Sequence, residues 1–141
     1  MANCTRPYIV FNFNERGRGN IVLYGSCDEV MVEEARSGSV DSLGRLKNVI
    51  AKGKWIIKKK HEVTSEKGMI IKGGSKVSWK TRLYNKNADF THYLIHPDGN
   101  LPGSLGCIVT PDMALELRDE INELLDIVDE IPVYVNVRPQ C

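Results

Sequence analysis

The chain has 141 residues, 19 basic and 18 acidic side chains, a formal net charge of +1 and an apolar fraction of 42%. That length suits one domain, residues 1–141, able to bury a core without metal or disulfide staples. The near-neutral balance gives no overall field for nucleic acid or an anionic membrane, and no apolar run reaches the ~20 residues of a membrane helix. Neither partner is expected.

The first residues, Met1 to Pro7, carry no basic segment followed by an apolar run, so no secretory leader is expected and synthesis in the cytoplasm is. Tyr8 to Phe13 is a β-branched and aromatic run. Residues 14–20 read as a turn and Ile21 to Tyr24 as a second strand, together a hairpin with a long loop. Val30 to Ala35 suggests a short helix. The Ser- and Gly-rich stretch from Ser37 to Gly44 reads as a loop. Strands are expected at Trp55 to Ile57 and at Gly68 to Ile71. The lysines around them, Lys58, Lys59 and Lys60 among others, read as solvated faces and edges that discourage strand pairing, the sharper alternative being weak attraction to an anionic polymer such as cell wall or nucleic acid.

Val77, Trp79, Thr81 and Leu83 alternate with polar residues at period two, the mark of a half-buried strand. In a strand from Phe90 to His96, the same alternation puts His92, Leu94 and His96 on one face and Tyr93 and Ile95 on the other. A turn is expected at Pro97 to Asn100. Thr110, Pro111 and Asp112 then read as helix cap, first helical position and first-turn acid. Ala114, Leu117, Ile121, Leu124, Leu125 and Val128 form one apolar helical stripe. Pro132 stops this long C-terminal helix, and Val133 to Val137 is a closing strand. The expected architecture is mostly β, sandwich- or barrel-like, with one long helix.

Four cysteines occur, Cys4, Cys27, Cys107 and Cys141, none at CxxC spacing. The usual structural zinc pattern is missing. Only Cys107 sits in a sequence with a chemical rationale. It follows a Gly- and Pro-rich loop, and His96 stands eleven residues upstream at a strand end. A thiol nucleophile needs a base within reach and an activated proton, and a loop folding back onto the strand supplies that. Gly106 permits close backbone approach, so the amides of Gly106 and Cys107 are candidates for stabilising an oxyanion. The blander alternative is a buried cysteine beside a glycine turn and a core histidine. A zinc site from His92, His96, Asp98 and Cys107 is the third reading, and neither metal nor cofactor is expected from the motif.

Ser104-Leu105-Gly106-Cys107-Ile108 resembles the S-x-G-C-[IV] signature of L,D-transpeptidase catalytic domains, the YkuD-like fold, with His96 in the place of the family's upstream histidine. Weaker similarity extends over about residues 8–137. The short loop between histidine and cysteine is closer to small secretion-effector and phage-borne members. The resemblance implies thiol-dependent acyl transfer on diaminopimelate-containing peptidoglycan stem peptides, as transpeptidase or as carboxypeptidase or endopeptidase. It assigns Cys107 as nucleophile, His96 as base, Gly106 and Cys107 as oxyanion donors and Ser104 as organiser of the loop. It also implies action in the periplasm or cell wall after delivery or lysis, with a delivery or immunity protein as partner.

The chain departs from the family in two places. Pro97 replaces the glycine after the histidine, which leaves Asp98 or a backbone carbonyl to orient the imidazole, with His92 as a further supporting residue. Val109 replaces the arginine after the cysteine, which leaves Arg82 to bind the substrate carboxylate. Trp79 and Tyr84 are packing residues or walls of the substrate groove. The rival function is a non-catalytic binding or phage structural module that keeps this fold.

Overall fold

The computed structural model describes residues 5–25, 28–58, 64–65, 79–85, 93–97, 106–111 and 114–140, without the side chains of Thr64, Ser65 and Trp79. Its main body is a nine-stranded sheet. The hairpin of β1 (Tyr8–Phe13) and β2 (Arg18–Gly25) is followed by β3 (Asp28–Ser37), which lies antiparallel to β2. The small pair β4 (Ser39–Val40) and β5 (Leu46–Lys47) stands apart as a second sheet. The main sheet continues with β6 (Gly53–Lys58), β7 (Thr64–Ser65), β8 (Trp79–Arg82), β9 (Leu94–Pro97), β10 (Ile108–Thr110) and β11 (Glu130–Val135), in the order β6-β11-β1-β2-β3-β10-β9-β8-β7. Two further hydrogen bonds nearly close it into a barrel: Ile56 on β6 and Tyr84, just past β8, exchange backbone bonds of 2.8 and 2.9 Å.

Period-two alternation explains the barrel's interior. Ile9 and Phe11 of β1, Ile21 and Leu23 of β2, Trp55 and Ile57 of β6, and Ile131, Val133 and Val135 of β11 are all at most 1% exposed and form one cluster. Burying each such side chain contributes roughly 1.5–3 kcal/mol. The helix α1 (Leu115–Leu125) connects β10 to β11, which lie on opposite sides of the ring. Its stripe of Leu117, Ile121 and Leu125 joins the same core.

Several local expectations are corrected. Val30 to Ala35 is not helical but lies within β3, paired with β2 on one side. Tertiary pairing overrides the helix-favouring Met31, Glu33, Glu34 and Ala35. Ser37 to Gly44 is not all loop, since Ser39 and Val40 pair with Lys47 and Leu46. Thr110 is not a helix cap: it is fully buried in β10 beside Pro97. The helix instead starts after Ala114, which takes a left-handed conformation (φ 46°) with no side-chain cap. The helix is shorter than expected. It ends at Asp126, and Pro132 lies within β11 opposite Ile56. A proline is tolerated there because the β1 ladder begins one residue later, at Ile9 and Val133, so no ladder donor is lost. The expected strand at Gly68 to Ile71 lies outside the described residues.

Candidate functional site

β9 and β10 run parallel, with Ile95, His96 and Pro97 opposite Ile108, Val109 and Thr110. Ile95 and Ile108, both fully buried, point to the core. His96 and Cys107 therefore share the face turned away from that core, where both are half-buried and Val109 beside His96 is buried. One step along the register puts Cys107 beside Leu94, whose N–H donates to the thiol sulfur. Cys107 and His96 are thus diagonal neighbours on adjacent strands, with Cα atoms about 8 Å apart from the strand spacing and rise.

The imidazole has a fixed partner. His96 Nδ1 lies 2.7 Å from the carbonyl oxygen of Pro97, which can only accept, so Nδ1–H is the donor and the neutral imidazole keeps its lone pair on Nε2. A backbone carbonyl is thus a hydrogen-bond partner of the imidazole. Burial pushes the Cys107 thiol above its ordinary pKa, partly offset by the Leu94 N–H. At neutral pH the resting group is the thiol, which needs a base during attack rather than arriving as a thiolate.

Gly106 has a steric role that the sequence did not disclose. It holds φ at +105°, and an added Cβ would lie 2.5 Å from Tyr93 Cζ and closer still to Cε1. Tyr93 in turn packs on the core residue Trp55, ring centroids 5.4 Å apart. The residue before Cys107 is therefore a glycine because an aromatic ring fills its side-chain space.

The outward face around this pair is basic. Arg82 pairs with Leu94, placing it in one row with Leu94 and Cys107 but two strands from the sulfur, about 9.6 Å by strand spacing. Two further cations missed in the sequence share this face, Lys80 one strand from His96 and Arg36 two. Arg36 on β3 is opposite Val109, and Lys80 on β8 falls opposite His96 one step beyond the Thr81–Ile95 pair. Non-local strand pairing brings them in, and no local motif announces it.

Tyr84 stands at the barrel seam, with Lys58 Nζ 4.6 Å from its ring centre and its hydroxyl pKa raised by burial. The backbone of Trp79 lies in β8, paired with Ser65. Ser104, His92 and Asp98 lie outside the described residues, as do Cys4, Cys27 and Cys141. Among the described residues, no group of three or more His, Cys, Asp or Glu side chains is placed to hold a metal. No described helix is long and apolar enough to cross a membrane. No known protein family, curated protein or solved structure matches this chain.

Proposed function

We propose that the chain is a thiol-dependent acyl-transfer enzyme of the L,D-transpeptidase type, with that family's fold, acting on peptidoglycan stem peptides. One observation carries the reading: Cys107, just before β10, and His96 on the parallel neighbour β9 lie on one face, and the Pro97 carbonyl 2.7 Å from Nδ1 favours the tautomer that a general base needs. The motif around Cys107 supplies the substrate class, and the surrounding Arg36, Lys80 and Arg82 suit a carboxylate-bearing peptide.

In the proposed reaction the Cys107 sulfur attacks a stem-peptide carbonyl while its proton passes to His96 Nε2. The tetrahedral oxyanion is stabilised by the amides of Gly106 and Cys107. Collapse breaks the C–N bond, His96 returns the proton to the leaving amine, and a thioester remains on Cys107. Water then releases an acid, or a second amine forms a new amide, and the thiol is regenerated. The reading places the enzyme in the periplasm or cell wall, reached by delivery or lysis.

The rival, a binding module on the same fold, draws support from the burial that raises the Cys107 pKa, since a packing cysteine shows the same shift. Mass spectrometry of diaminopimelate-type tetrapeptide and pentapeptide muropeptides separates the two. A shortened or dimerised product formed by wild type and not by Cys107→Ala supports the enzyme. No product, together with a Cys107 that resists iodoacetamide, leaves the binding module.

A further inference from the structure

On the far side of the barrel from Cys107, β1 and β11 part company. Their parallel ladder starts at Ile9 and Val133, and the residues just before it include Pro7 and Pro132, neither of which has an N–H to extend it. A cleft of about 300 Å³ opens where the ladder stops, a volume at the small end of ligand-binding sites.

Its walls combine rings and cations. Tyr8 is stacked on Tyr24, centroids 4.6 Å apart and planes within 9°, and meets Tyr134 edge-on at 6.1 Å. Tyr134 is only 3% exposed and forms the floor, and its hydroxyl donates to the Gln140 carbonyl at 2.7 Å. That bond holds Gln140 as one wall. Arg6 and Lys54 supply positive charge at the rim, and among the described residues no carboxylate lines the cleft. Thr5 and Gln140 add polar residues to the lining.

We propose that this cleft binds a single sugar ring carrying a carboxylate. The ring's C–H face lies on tyrosine, its hydroxyls meet Thr5 and Gln140, and the carboxylate reads Arg6 and Lys54. An aromatic acid satisfies the tyrosines and cations but leaves the polar wall unused, which is why a hydroxylated ring fits better. The site is separate from Cys107 and stands whether or not that residue is catalytic.

The test is an amide-shift titration of the isotope-labelled full chain with N-acetylmuramic acid, with N-acetylglucosamine as the same ring without the carboxylate, and with benzoate. N-acetylmuramic acid should give saturable shifts at Tyr8, Lys54 and Gln140. N-acetylglucosamine should bind about tenfold or more weakly, the scale of one charge-assisted hydrogen bond. Lys54→Glu and Arg6→Glu, both at exposed positions, should each weaken binding by a similar factor while leaving thermal unfolding in place. Cys107→Ala should bind like wild type. Equal responses to the two sugars, full binding in both charge reversals, or saturation by benzoate alone would overturn the proposal.

Discussion

Replacing Gly106 with alanine tests whether the residue before Cys107 is set by packing. Two costs add. The backbone holds φ at +105°, where an L side chain costs about 1–3 kcal/mol. The new methyl also falls 2.5 Å from Tyr93 Cζ, and Tyr93 cannot simply retreat because it packs against Trp55, 1% exposed in the core. Overpacking of this kind costs about 1–3 kcal/mol. The total, about 2–6 kcal/mol, should lower the thermal midpoint of a chain of this size by roughly 5–20 °C. The decisive assay is a double-mutant cycle in chemical denaturation with Tyr93→Leu, which removes the ring atoms the methyl meets but keeps an apolar filler. Gly106→Ala should then cost only the backbone strain, giving a coupling of about 1–3 kcal/mol. Additivity within about 0.5 kcal/mol would refute the packing account and return Gly106 to a role in ligand approach alone.

Three further outcomes follow from the same geometry. Ser37→Ala removes the hydroxyl that accepts from the Ile50 N–H at 3.0 Å with both residues fully buried, and should destabilise by about 1–3 kcal/mol in urea unfolding. Asn136 holds φ at 51° while its side chain accepts from the Phe13 N–H at 2.9 Å, so Asn136→Ala should lose about 1–2 kcal/mol and Asn136→Gly less, the order being the check. Burial raises the Cys107 pKa, so the folded state holds the thiol proton more tightly than the unfolded chain does. That contribution is complete below the ordinary thiol value of 9.0 and fades as pH rises through the higher folded value. Urea midpoints should therefore fall more between pH 8 and pH 10.5 in wild type than in Cys107→Ala, and parallel declines would contradict the shift.

What the sequence disclosed and what it hid divide along the range of the interactions involved. Alternation along one strand is local, and it placed Leu94 and His96 together and Ile95 opposite them, as the burial of Ile95 agrees. The helical stripe from Ala114 to Leu125 was legible for the same reason, because its period is written in consecutive residues. The helix start was not. Thr110, Pro111 and Asp112 carry strong capping chemistry, yet Thr110 was claimed by pairing with β9, an interaction across thirteen residues that no local window contains. Pro132 was misread in the same way, as a helix stop instead of a strand residue at the end of a ladder.

The candidate site repeats this division and gives it a functional meaning. Cys107 and His96 were found from composition and spacing, but what makes them a pair is the parallel register of β9 and β10, which aligns Val109 with His96 and leaves Cys107 one diagonal step away. The same register, carried across β3 and β8, delivers Arg36 and Lys80 to that face from positions about 60 residues before and 16 residues before His96 in the sequence. A shift of one residue in either pairing would turn these side chains to the core face. The buried partners Ile95 and Ile108, Thr81 and Ala35 oppose such a slip, since it would put charge among fully packed apolar groups. The core therefore does more than hold the barrel together: by locking register, it fixes which polar side chains surround the thiol.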